Sequence, residues 1–244
     1  MTNINYTHIS VILDRSGSME HLTDETISGF NTFLAEQKNA PGKATLTLAT
    51  FASDCTIVHD FLPLGLALNL SKLSNPGDMS ICAYKTGGYT SLYDAVGRTV
   101  NSVGAKLASM KEEDRPSKVI TVIITDGKEN ASKEFAYEVI RDMIAHQQDK
   151  YGWSFVYLAS TIGEVEQAKS LGIRSKNIGS YIPSAAGMTA NFNTISESMT
   201  SYRASIDPKT DFFGSSSSDT GSISISSSGD IKVIAPEIKI TPKQ

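Results

Sequence analysis

Cysteine is almost absent. Cys55 and Cys82 are the only two in 244 residues, and their separation offers no CxxC-type pair. They read as two reduced thiols in or near the core, so a disulfide-stapled scaffold is excluded. No basic stripe runs along the chain, whose formal net charge is −4. Sequence-independent nucleic-acid binding needs clustered Lys and Arg, so no nucleic-acid partner is expected. No apolar run approaches the ~20 residues that span a bilayer, so no membrane association is expected either. The stretch MTNINYTHIS holds neither a basic segment nor an apolar signal core, which makes a cytoplasmic location the expectation. Also missing are the GxxxxGK[ST] phosphate loop and the GxSxG nucleophile elbow.

What is present is enough apolar material for a sizeable core, 40% of the residues. The length suits one domain of moderate size with an appendage. The organising stretch is residues 8–20, HISVILDRSGSME. Its apolar run, residues 9–13, reads as a buried strand, and the polar stretch at 14–18 as a loop leaving that strand's end. In open α/β sheets, ligands sit in the crevice outside the carboxyl ends of strands. Asp14, Ser16 and Ser18 would bring one carboxylate and two hydroxyls there. These are hard oxygen donors, suited to Mg²⁺ or Mn²⁺ rather than Zn²⁺. Gly17 lets the loop curl. Taken alone, the same residues serve equally well as an ordinary helix N-cap.

Helix and strand signals alternate along the rest. Thr23 or Asp24 can cap a helix running to about Asn39, with Ile27, Phe30 and Leu34 toward the sheet and Pro41-Gly42 ending it. Residues 44–52 read as a strand, and 54–61 as its hairpin partner after a turn at Ser53-Asp54. Residues 63–79 are expected to hold a short helix and a loop, with a turn at Asn75-Pro76-Gly77. Tyr93, Val96, Val100, Val103, Leu107 and Met110 form the clearest apolar stripe, a core-packed helix that stops before Arg115-Pro116. A strand rich in Val and Ile spans 118–125. Ser132 is expected to cap a helix whose inner face is Ala136, Val139, Ile140, Met143, Ile144 and Gln147. A strand at 153–159 follows, then a short helix carrying Val165, Ala168 and Leu171, closed by Gly172, and a last strand at 177–181. Met188, Phe192, Ile195, Met199 and Tyr202 mark the final amphipathic helix. Such alternation implies right-handed βαβ units and a sheet covered on both faces.

Two later positions complete the polar loop. Thr90 lies in TGGYTSLYDA, a Gly-rich loop leading into a helix, and Asp126 in VITVIITDGKEN, at the end of a second apolar strand. DxSxS, a later loop Thr and a later strand-end Asp, in this order, resemble the metal-ion-dependent adhesion site of the von Willebrand factor A (vWA) family. The resemblance covers roughly the first two hundred residues and points to intracellular, bacterial or phage members. It implies an α/β, doubly wound, mostly parallel six-stranded sheet of order 3-2-1-4-5-6, with one antiparallel edge strand, helices on both faces and a C-terminal tail. In that order the strands ending at Leu13 and Thr125 are neighbours whose loops can share one ion. The resemblance also implies the roles of the site residues. Ser16 and Ser18 would bind Mg²⁺ or Mn²⁺ directly, Thr90 directly or through water, and Asp14 and Asp126 mainly through water. Mg²⁺ keeps waters where protein ligands are lacking, and a partner's Asp or Glu can displace one of them.

An enzyme is the main alternative, as a metal-dependent phosphohydrolase. That chemistry needs a positioned base or cations on the phosphate. His21 and Arg15 are the local candidates, and both are expected to face outward, to solvent or a partner. Glu129 could rim the site, but reads better as an acid in the first turn of a helix. The expectation is therefore a non-enzymatic, metal-dependent protein-binding module. The vWA domain is expected over 1–206, a Ser/Gly-rich linker over 207–222 and a β-prone tail over 223–244. Gly221 and Gly229 head two matching segments, with Ile223 and Ile225 answered by Ile231 and Val233, and Ile238 and Ile240 follow. One reading is a mostly disordered tail. The other is a structural assembly protein whose tail strands, residues 221–244, join chains into a homo-oligomer, a pattern that loosely resembles needle-like phage baseplate proteins.

Overall fold

The computed structural model describes residues 2–72, 80–206 and 211–213, and the backbone of 223–225 and 231–233. The apolar run at 9–13 is the heart of a longer strand, β1 (Asn3–Asp14), buried without a break from Tyr6 to Asp14. A strand covered on both faces has no solvent side for its polar residues. The polar members of β1 are satisfied sideways instead. His8 Nδ1 lies 2.9 Å from Thr45 Oγ1, Ser10 Oγ lies 3.2 Å from His8 Nε2, and Tyr6 OH lies 3.0 Å from Thr45 Oγ1.

A 3-10 turn over Gly17–Leu22 leads from β1 into α1 (Thr23–Asn39). Next come β2 (Lys43–Phe51) and β3 (Cys55–Pro63), then a 3-10 turn at Leu64–Leu66. A two-residue parallel pair follows, β4 (Ser71–Lys72) with β5 (Ala83–Tyr84). The chain continues through α2 (Leu92–Ser109), β6 (Pro116–Ile124), α3 (Tyr137–Tyr151), β7 (Ser154–Ala159), α4 (Ile162–Ser170), β8 (Ile178–Ser180) and α5 (Ala185–Ala204).

Six strands join in the order β3-β2-β1-β6-β7-β8. All neighbours run parallel except β3, which lies antiparallel to β2 at the edge. Leaving aside β4 and β5, which pair apart from this sheet, this is the expected 3-2-1-4-5-6 order. Successive strand residues point to opposite faces, so the core divides in two. Ile9, Val11 and Leu13 pack with α1 and α5 on one side; Ile12 packs with α2, α3 and α4 on the other. Phe192 of α5 lies so close to Gly29 of α1 that a Cβ there would collide with its ring. Asp14 is in register with Phe51 and Leu13 with Ile124, so the loops after β1 and β6 leave the sheet at one level.

Several expectations need correction. The N-cap of α1 is Leu22; Thr23 is already helical and its hydroxyl donates to the Glu20 carbonyl at 2.8 Å. The 3-10 turn supplies the entry geometry, so no side-chain cap is used. Ser132 does not cap α3 either, because that helix begins only at Tyr137, after Ala136. Its buried stripe is Ile140, Ile144 and Gln148, whereas Val139 is exposed. Phe135, ahead of the helix, lays its ring against Gly97 of α2, where a Cβ would collide with it. Residues 63–72 and 80–84 hold the β4–β5 pair besides the expected short helix, and the turn at 75–77 lies outside the described residues.

The chain divides into two units, Met1–Gly214 and Ser215–Gln244. In the second, β9 (Ile223–Ile225) pairs antiparallel with β10 (Ile231–Val233), with Ile225 opposite Ile231 and Ile223 opposite Val233. The rest of the expected tail, and all of the expected linker but residues 211–213, lie outside the described residues.

Candidate metal centre

Asp14 ends β1 and is wholly buried. Its Oδ1 accepts from the Ser16 N–H at 2.7 Å and its Oδ2 from the Thr125 hydroxyl at 2.6 Å. Burial pushes its carboxyl up to about 6; the Thr125 and Ser16 hydrogen bonds pull the other way, and the Asp126 charge adds to the rise. Ser16 Oγ stands 3.1 Å from Ser18 Oγ, which donates to Asp126 Oδ1 at 2.5 Å. Burial also raises the Asp126 carboxyl, with the Ser18 hydrogen bond opposing it and the Glu164 charge reinforcing it.

Thr90 joins from a third loop. Its N–H donates to Asn130 Oδ1 at 2.9 Å, and the Asn130 N–H returns a bond to the Thr90 carbonyl at 3.0 Å. A Cβ at Gly127 would lie 2.8 Å from Thr90 Oγ1 and 3.7 Å from Asp14 Oδ2. Glycine at 127 is thus what lets the Thr90 hydroxyl and the Asp14 carboxylate approach the same place. The five predicted residues form one connected set, from Thr90 past Gly127 to Asp14, Ser16, Ser18 and Asp126. The first and third loops are also zipped by backbone bonds, Gly17 N–H to the Gly88 carbonyl at 3.1 Å and Gly87 N–H to the Arg15 carbonyl at 2.9 Å. Gly87 and Gly88 have φ of 142° and 82°, so both need glycine.

Other positioning residues escaped the sequence reading. Tyr84 donates its hydroxyl to the Asp14 carbonyl. Thr125 holds the Asp14 carboxylate and, with the same hydroxyl, the Gly127 backbone. Glu129 is not a helix first-turn acid; it lies in the loop between β6 and α3. Its carboxylate accepts from the N–H groups of Tyr93, Ala131 and Ser132 and from the Ser132 hydroxyl, so it caps the start of α2 from a distance. Arg15 does not face solvent: its guanidinium donates to Asp54 at 2.6 Å and its side chain is only 18% exposed. His21 is exposed, as expected, with Nδ1 2.8 Å from the Ser18 carbonyl. The Thr immediately before Asp126 was a visible signal; the pairing of Asn130 with Thr90 had no local one.

The donor chemistry fits a hard divalent cation. Two carboxylates and three hydroxyls converge, and among the described residues neither Asp14 nor Asp126 forms an ion pair with Lys or Arg. Buried carboxylates without a counter-charge are costly, and a cation offsets that cost. Among the described residues no three His, Cys, Asp or Glu side chains gather to hold a metal, which argues against a zinc-type set.

No protein-family model matches the sequence, and no curated protein is similar to it. Solved structures are similar in shape. A von Willebrand factor type A protein from Catenulispora acidiphila superposes with a TM-score of 0.52 at 14% identity, over 81% of this chain and 42% of that one. The vWF domain of the type V pili tip protein Mfa5 from Porphyromonas gingivalis gives 0.57 at 9% identity, over 82% and 96%. This chain has the vWA fold. The pilus adhesin SpaC from Lactobacillus rhamnosus GG, in its open conformation, gives 0.52 at 14% identity, over 81% and 30%. The chain therefore spans less than half the length of the Catenulispora and Lactobacillus chains, and at these identities the likeness extends to the vWA fold alone.

Proposed function

We propose that this vWA domain is a metal-dependent protein-binding module. One observation carries the reading: among the described residues Asp14 and Asp126 form no ion pair with Lys or Arg, and at the carboxyl edge of the sheet they stand with the Ser16 and Ser18 hydroxyls and, across Gly127, the Thr90 hydroxyl. Ser16, Ser18 and Thr90 would hold Mg²⁺ or Mn²⁺ through their hydroxyls, with Asp14 and Asp126 acting mainly through bound water. Bound there, the ion supplies an electrophilic position that accepts an Asp or Glu carboxylate from a partner. The residues of the chain do the rest: Thr125 and the Ser16 N–H fix the Asp14 carboxylate, Asn130 fixes Thr90, and Tyr84 fixes the loop backbone. Mfa5 is named as a pilus tip protein and SpaC as a pilus adhesin, which agrees with a binding role for this fold. We place the protein in the cytoplasm on its two free thiols, Cys55 and Cys82.

The phosphohydrolase alternative needs a cation on the phosphate, and Arg15, one of its two local candidates, is engaged by Asp54. Binding to a protein partner can be tested by capture from native lysate in Mg²⁺. The reading requires capture that EDTA abolishes and that Asp14→Ala lacks; equal capture in all three conditions removes it.

The tail supports a second, additive role. β9 and β10 pair with Ile225 opposite Ile231 and Ile223 opposite Val233. A two-stranded hairpin is marginal alone and needs further partners. We propose that tails of several chains cover one another, so that the metal domain is displayed in more than one copy.

A further inference from the structure

Three exposed apolar side chains lie on the loops around the candidate metal centre. Tyr89, Ile162 and Ile182 are exposed by 70%, 53% and 60%. Tyr89 adjoins a site residue, and the other two adjoin residues that touch Lys128 and His21, neighbours of the site. Tyr89 precedes Thr90. Ile162 opens α4 beside Gly163, across which the Lys128 side chain lies, two residues on from Asp126. Ile182 precedes Pro183, whose carbonyl lies 3.4 Å from His21 Nε2, and the other ring nitrogen of His21 lies 2.8 Å from the Ser18 carbonyl. Ile162 and Ile182 follow the ends of β7 and β8, so they open on the sheet edge that carries Asp14 and Asp126. Single exposed apolar side chains are ordinary; three around one polar centre mark an interaction surface.

Charge narrows the partner. Asp14 feels the charge of Asp126, and Asp126 feels those of Glu164 and His21. Against these three carboxylates stand the proposed divalent ion, Lys128, which lies across Gly163 beside Glu164, and His21 when protonated. That balance leaves little surplus positive charge for a partner bearing a run of acids, and like charges brought together would repel. We infer that the partner is a protein segment presenting one Asp or Glu flanked by large apolar side chains, which Tyr89, Ile162 and Ile182 cover. This rests on the metal-dependent reading above and names the chemistry that gives it specificity.

The test uses the full chain and a displayed peptide library with one fixed central Asp and randomised flanks, selected in Mg²⁺. An Asn-centred library and elution by EDTA are the controls. Selected peptides should carry Leu, Ile, Phe, Tyr or Met beside the Asp. Tyr89→Ser, Ile162→Ser and Ile182→Ser should each weaken those peptides by about tenfold, the size expected when one apolar contact is lost. Mn²⁺ affinity measured by calorimetry should stay unchanged in all three. Mg²⁺-dependent peptides with polar or acidic flanks, or full affinity in the three variants, would overturn the inference and leave the metal reading intact. Selection without Mg²⁺ dependence, or equally from the Asn library, would remove the metal reading and this inference with it.

Discussion

Ser18 Oγ donates to Asp126 Oδ1 at 2.5 Å, joining two loops that are 108 residues apart in the chain. The bond exists because β1 and β6 are neighbours in register, so each loop begins at the same level of the sheet. It orients the hydroxyl that the proposed ion needs, and it moderates the Asp126 carboxyl that burial raises. Ser18→Ala should therefore leave the fold intact, since Ser18 is exposed, while lowering Mn²⁺ affinity about tenfold or more. Titration followed by electron paramagnetic resonance reads this directly; unaltered Mn²⁺ affinity would take Ser18 out of the site.

Lys118 ties the sheet to the end of α5. It is buried on β6, and its ammonium donates to the carbonyls of Tyr202 at 3.0 Å, Arg203 at 2.9 Å and Ser205. The last carbonyls of a helix lack intrahelical partners and carry partial negative charge. Lys118→Met should leave these acceptors without their charged donor and cost about 2–3 kcal/mol of stability. Urea unfolding is the measurement, and a midpoint equal to the parent's would show that water replaces the ammonium at no cost.

His8 gives the stability a pH dependence. Its ring is fully buried, stacked on Phe61 at 4.1 Å between centroids, and burial lowers its pKa to about 3. In the unfolded chain it titrates near ~6.5. Between those values the unfolded state binds a proton that the folded state refuses, so stability falls as pH drops from about 6.5 toward 3. From pH 7 to pH 5 the loss from this residue should be about 2 kcal/mol. His8→Gln should show a correspondingly smaller drop in unfolding free energy over that range. Identical drops in both proteins would mean that the folded state accepts the proton.

These elements show what the sequence makes legible. The strands, and the polar positions that meet at the sheet edge, were legible because apolar runs and strand-end motifs are local signals, as at residues 9–13 and Thr125-Asp126, whereas the strand order followed from the family resemblance. The caps could not, because two loops exchange them. Glu129 accepts from Tyr93, and Asp94 accepts from the N–H groups of Lys133, Glu134 and Phe135. With Asp94 holding these residues, the loop stays extended and α3 starts at Tyr137 instead of at Ser132. Arg15 was misread for the same reason: Asp54 lies in the β2–β3 turn, and only the β1–β2 register brings it near.

The tail has its own test. If the β9–β10 pair assembles between chains, light scattering of the full chain at micromolar concentration should report an oligomer, and a chain ending at Gly214 should be monomeric. A monomeric full chain would leave the metal domain acting singly and remove the proposed avidity.

The central claim is that Asp14, Ser16, Ser18, Thr90 and Asp126 hold one divalent ion, and Mn²⁺ titration calorimetry tests it most directly. The account predicts one Mn²⁺ per chain in the parent protein. It predicts affinity weaker by about tenfold or more in both Asp14→Ala and Asp126→Ala, with circular dichroism showing both still folded. Parent-like Mn²⁺ binding in both variants, or no saturable Mn²⁺ binding by the parent, would contradict it.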